Sequence, residues 1–210
     1  MSRLDRVLIM SVSLATAGTL FGGEEPKRVT VVVAFDEAQA QPEVVAALQS
    51  ELAEIWRGEP VKLDWRPIES IHPGDSFDDL VVVHFKGHCQ LRPYQEWLAS
   101  HAYLIDERGP QPSLTLAYSP TVDGRVQAFS SVLCDRVERS VETALPPGQR
   151  KSADSLYGRA LGRVLSHELY HILNQTRRHE LRGLAKQSLT GEQLIAPVFR
   201  FDESTVHAGH

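Results

Sequence analysis

The sequence predicts an α+β fold built on a mixed β-sheet. Three observations carry this. Of two β-branched runs, Lys27 to Phe35 reads as a strand buried on both faces and Asp78 to Lys86 as a second core strand. A stretch opening at Ser152 or Asp154 repeats its apolar residues at helical spacing for about six turns. The order is strand, helix, several strands, then helices, which also leaves α/β around a mixed sheet as the neighbouring class.

Each element follows from its own residues. After the first strand, Pro42 stands where a first helical residue belongs. Val44, Val45, Leu48, Leu52, Ile55 and Trp56 recur at helical spacing, and Gly58 ends the run. Val61 to Ile68 reads as a short alternating strand. Ile71 to Phe77, with His72, Pro73 and Gly74, reads as a loop before the second core strand. The stretch from Gly87 to Pro112 has no regular pattern. Ser113 to Tyr118 alternates like a strand. Ser119-Pro120 and Asp123-Gly124 are turn signals, and Arg125 to Cys134 reads as an extended partner. Asp135 is placed to cap a short helix carrying Val137, Val141 and Leu145, which Pro146-Pro147-Gly148 breaks. In the long helix, Gly158 and Gly162 lie one turn apart and would let another backbone approach. Beyond Thr176 the patterning is weak.

Composition narrows the function. The chain has 210 residues, 42% apolar and 23% charged, so one ordinary packed domain is expected. The net charge of −5 and the lack of a basic stripe argue against a nucleic-acid partner. Residues 1–23 resemble a secretory signal peptide. Arg3 and Arg6 precede an apolar run from Val7 to Leu20, and Ala15-Thr16-Ala17 and Gly22-Gly23 are candidate cleavage sites. The mature domain is then 24–210. It lacks another apolar run of the roughly 18 residues a membrane span needs. A secreted or periplasmic location is expected. Export permits a disulfide, so Cys89 and Cys134 are expected to pair, with two buried thiols as the alternative.

The chemistry lies in His167-Glu168-Leu169-Tyr170-His171, an H-E-x-x-H pentad inside the long helix. Residues i and i+4 share a face one turn apart, so both imidazoles can reach one metal ion. Glu168 is rotated by about 100° from His167 and flanks the ion, where it can accept a proton from an attacking water. Three polar groups on a stripe otherwise lined by Ala160, Val164, Ile172 and Leu173 are costly without partners, and a metal supplies them. The bland reading is a solvated helix edge with two incidental histidines. A catalytic zinc takes three protein ligands. His179, eight residues after His171, is the first candidate for the third, with Asn174 ending the helix and a turn swinging it back. Glu192 is its main rival, ahead of Glu180, His84 and His88. For oxyanion stabilisation Tyr170 and Tyr157 stand near, although helical tyrosines are more often packing residues.

The pentad resembles that of the zincin superfamily of zinc metallopeptidases. The metzincin continuation is absent: Asn174 and Arg177 occupy its glycine and third-histidine positions, and Met1 and Met10, both in the leader, leave no methionine for a Met-turn. Glu192 falls near the spacing of the gluzincin glutamate. The chain is more similar to small secreted bacterial peptidases with HExxH, seven residues, His, then three residues and Gly-Ile/Leu-Met. His179 and Gly183-Leu184 match that pattern, with Ala185 at the methionine position. The leader, Gly87-His88-Cys89 and Cys134-Asp135-Arg136 extend the likeness.

The resemblance implies a zincin-like fold with Zn²⁺ on His167, His171 and His179. It implies Glu168 as the catalytic base, a peptide or protein substrate, and an edge strand (Ser113–Tyr118 or Arg125–Ser131) that receives the substrate by strand addition. Two other functions fit the same residues: a non-catalytic metal-binding module, and a hydrolase of non-peptide amides such as cell-wall components.

Overall fold

A computed structural model describes residues 27–35, 40–92 and 115–202. The expected leader 1–23, Glu24-Glu25, residues 93–112 of the stretch without a regular sequence pattern, Ser113-Leu114, and the tail with Glu203, His207 and His210 lie outside the described residues. The fold is mixed α+β. Its main sheet has the order β2 (Val61–Pro67), β1 (Lys27–Phe35), β3 (Leu80–Lys86), β7 (Phe129–Leu133), β4 (Ala117–Tyr118). β1 (Lys27–Phe35) pairs in parallel with β2 (Val61–Pro67) on one side and β3 (Leu80–Lys86) on the other. This central place explains its unbroken β-branched run, since both faces are covered. β7 (Phe129–Leu133) continues the parallel set beside β3, and β4 (Ala117–Tyr118) closes the edge antiparallel to β7.

Strand periodicity selects the face that meets the helices. Val31 and Val33 pair with Val81 and Val83 of β3, and Val29 pairs with Leu63 of β2. With Phe85 and Val132 these residues join the core beneath α1 (Pro42–Ile55), α2 (Cys134–Ala144) and α3 (Ala153–Leu173). The rings of Phe35 and Phe85 stack at 4.8 Å.

The two glycines of α3 act as the sequence suggests. A Cβ on Gly158 would lie 2.3 Å from the Val44 carbonyl oxygen, and one on Gly162 2.9 Å from that of Leu48. Only glycine lets α1 cross α3 backbone to backbone. Arg163, fully buried beside this crossing, donates through Nε to Glu51 Oε1 at 2.8 Å and through Nη1 to the Gln193 carbonyl at 2.6 Å. Burial of an arginine is tolerable only with such partners.

Several local expectations are corrected. The extended segment after Arg125 is two strands. β6 (Arg125–Val126) folds back onto β5 (Thr121–Val122) through Asp123 and Gly124, both at positive φ, before β7 enters the main sheet. Cys134 opens α2 instead of ending a strand, and Asp135 sits in the first turn and is not the cap. There its charge still suits the helix N-terminus. Ser152 occupies the position before α3 without a side-chain capping bond.

Cys89 and Cys134 form a disulfide, joining the segment after β3 to the start of α2. Beside it Arg92 donates from its backbone N–H and its guanidinium to the fully buried Glu138 carboxylate. No helix among the described residues is long and apolar enough to cross a membrane.

Candidate metal centre

The site forms where α3 ends and the chain turns back on it. Asn174 does not take the left-handed conformation; Gln175 does, at φ 48°. Its side-chain amide donates to the carbonyls of Ile172 and Val126 at 2.9 and 3.0 Å, which pins this turn to β6. The chain beyond is ordered by backbone bonds. Glu180 N–H donates to the Ala185 carbonyl and Leu184 N–H to that of Arg200, both at 2.9 Å. α4 (Gly191–Ile195) follows, started by a capping box between Thr190 and Gln193.

That return segment holds both imidazoles of the pentad. His167 Nδ1 lies 2.8 Å from the Leu184 carbonyl oxygen, and His171 Nδ1 lies 2.8 Å from that of Thr176. A carbonyl only accepts, so each Nδ1 carries the proton and donates it. Each Nε2 is then left with its lone pair. The two Nε2 atoms stand 3.0 Å apart. Two lone pairs facing one another at this distance repel unless a cation lies between them. His179 completes the group, its ring centroid 5.3 Å from that of His167 and 4.8 Å from that of His171. One ligand atom from each of the three histidines falls within 4.8 Å of the others.

The residues fit a metal ion by donor chemistry as well as by spacing. Burial lowers the pKa of all three histidines, that of His167 to about 4, so each is held in the neutral form that ligates. The carbonyls behind His167 and His171 fix tautomer and ring direction, as outer partners of metal-bound histidines do.

The rival ligands are placed elsewhere. Glu192 lies in the first turn of α4 and is not in the cluster. Glu180 accepts a hydrogen bond from the Tyr170 hydroxyl at 3.3 Å. His88 approaches Asp135 at 3.9 Å, and His84 stays in β3. Of the two tyrosines, Tyr157 is fully buried and donates to the Cys134 carbonyl. Burial raises its pKa well above the usual range.

Glu168 lines the same cavity as the cluster and is 6% exposed. Its Oε2 accepts a hydrogen bond from Ser119 Oγ at 2.7 Å. Burial raises its pKa to about 7, against the opposing pull of the Ser119 bond. A cavity of about 770 Å³ opens here, between β4 and the return segment, and is lined by Tyr118, Ser119, Glu168, Arg177 and the three histidines among others.

Sequence reading missed Ser119, whose Ser-Pro pair signalled only a turn. It also missed the carbonyls of Thr176 and Leu184, since backbone acceptors carry no residue-type signal. No protein-family model matches the chain, and no curated protein matches it.

Proposed function

We propose that this protein is a zinc-dependent metallopeptidase that works outside the cytoplasm. The observation that carries the reading is the cluster of three neutral imidazoles beside one buried carboxylate in an open cleft. An all-histidine donor set at this spacing suits zinc, with a fourth position left for water or substrate. When bound, the ion would supply Lewis acidity for a carbonyl and would bring the pKa of a water toward neutrality.

The chain's own groups do the rest. His167, His171 and His179 hold the ion. Glu168 accepts a proton from the attacking water through one carboxylate oxygen and delivers it to the leaving amine. Ser119 restrains the other oxygen.

The edge of the sheet supports a peptide substrate. Leu133 N–H donates to the Leu116 carbonyl at 2.8 Å, so Leu116 faces β7. Antiparallel alternation turns the N–H and C=O of Ala117 to the free edge beside the cleft. An extended peptide can add there and cross the metal helix. This antiparallel edge beside the metal helix also favours the zincin-like reading. The Cys89–Cys134 bridge favours an oxidising compartment and with it the exported location.

The zinc-loaded protein should cleave a mixed peptide library, and the Glu168→Gln variant should keep zinc while losing cleavage. Elemental analysis of both proteins checks the metal. A fully zinc-loaded protein that cuts no peptide would overturn the reading.

A further inference from the structure

The geometry points to Arg177 as the residue that selects the substrate, by pairing with a carboxylate beside the scissile bond. This deepens the peptidase reading and rests on it.

Arg177 is fixed next to the metal from both sides in sequence. The carbonyl of the preceding Thr176 clamps His171 at 2.8 Å. His179, two residues on, belongs to the histidine cluster. Thr176 Oγ1 also accepts the Arg178 N–H at 3.1 Å, which sets the local turn. The backbone of Arg177 is thereby held at the rim of the cleft, and the residue lines the cavity.

The guanidinium has no hydrogen bond or ion pair to any described residue, unlike Arg163, Arg159 and Arg200, which all pair with Glu51. Among the described residues that line the cavity, Glu168 is the only carboxylate, and it is bonded to Ser119. The site thus offers one permanent cation with free donors, and the one carboxylate beside it already has a partner.

The surroundings reinforce this sign. Between Thr176 and Gln187 the chain carries Arg177, Arg178, Arg182 and Lys186 against Glu180 alone, in a protein of net charge −5. A basic segment that contributes Arg177 to the cleft of an acidic protein attracts anionic ligands. The planar guanidinium matches a carboxylate in a two-bonded pair, so the chemistry selected is a carboxylate. It can come from an aspartate or glutamate side chain or from the C-terminus of the substrate.

Three otherwise identical peptides distinguish these sources. One has a central glutamate and an amidated C-terminus, one a central glutamine and an amidated C-terminus, and one a central glutamine and a free C-terminus. Binding is measured by fluorescence anisotropy to the zinc-loaded Glu168→Gln protein, and cleavage to the unsubstituted protein. One carboxylate-bearing peptide should bind about tenfold more tightly than the neutral one, in keeping with a charge-assisted pair. Adding Arg177→Ala should erase the difference, and adding Arg178→Ala should keep it. A preference for the glutamate peptide assigns an internal acidic residue, and one for the free C-terminus assigns removal of C-terminal residues. Equal binding of all three peptides, or a preference that survives Arg177→Ala, overturns the inference. Cleavage without preference defeats this inference alone. Selective binding with no cleavage of any peptide defeats the peptidase reading and leaves the carboxylate site standing.

Discussion

The Ser119 hydroxyl donates to Glu168 Oε2 across 2.7 Å, joining residues 49 apart in sequence. The bond ties the segment leaving the edge strand to the carboxylate beside the three histidines. It holds one oxygen of Glu168 and leaves the other for the proton transfer proposed above. It also favours the ionised carboxylate that burial disfavours.

Loss of that bond should therefore raise the pKa of Glu168 further. A base must be ionised to accept a proton, so the acidic limb of the pH profile of kcat/KM should move to higher pH in Ser119→Ala. Ser119→Thr, which keeps the hydroxyl, should restore it. Turnover should fall about tenfold, less than the roughly 100-fold or more that loss of the base itself would cost. An acidic limb that stays in place would show that Ser119 merely packs.

Removal of His179 should cost metal affinity by more than about 100-fold, since loss of an outer partner alone costs up to that much. Glu192→Ala should bind metal as the unsubstituted protein does, because Glu192 lies outside the cluster. Competition against a chromogenic chelator measures both. Tight metal binding by His179→Ala together with its loss in Glu192→Ala would reverse the ligand assignment.

The metal-stripped protein should show the raised pKa of Glu168 as a stability effect. The folded state binds this proton up to about pH 7, and an ordinary glutamate releases it near 4.5. The associated stabilisation is fully present below the lower value and is lost as pH rises through the upper one. Relative to Glu168→Gln, the unsubstituted protein should thus lose about 3 kcal/mol between these limits. His167, lowered to about 4, acts oppositely: its stabilisation is lost as pH falls from 6.5 towards that value. It is common to both proteins and cancels from the comparison. Urea denaturation at several pH values measures the gap, and a constant gap would tell against a buried Glu168.

Reduction of the Cys89–Cys134 bridge, which spans 45 residues, should destabilise the protein by about 4 kcal/mol on the loop-entropy estimate. Denaturation with and without reductant reads this directly. An unchanged midpoint would mean that the crosslink constrains the unfolded chain little.

Gly158→Ala should force α1 away from α3, because the added carbon meets the Val44 carbonyl oxygen. A loss of about 1–3 kcal/mol is expected from such overpacking. Thermal unfolding tests this, and an unshifted midpoint would show that the helices can separate without cost.

Much of the fold was legible because its signals are local. A central strand buried on both faces must be apolar throughout, and Lys27–Phe35 is nearly so. A helix that meets another along its backbone must be small there, and Gly158 and Gly162 are. The pentad likewise placed His167, Glu168 and His171 by helical geometry alone. Errors fell where distant contacts set the backbone. The split of the extended segment after Arg125 depends on whether each part pairs with β5 or with the main sheet. The left-handed turn fell on Gln175 because its amide finds acceptors on both Ile172 and Val126.

The pentad, its helix, the strand periods and the pair of cysteines are all written in residue types a few positions apart or in their count. Which side chain joins the two imidazoles, which carbonyls orient them and which hydroxyl restrains Glu168 are set by the packed fold. Those choices depend on where a chain of weak local preference is carried by the packing of its neighbours. The bonds that fix it, from Gln175 to β6 and from Leu184 to Arg200, join segments whose spacing along the chain says nothing of their distance in space.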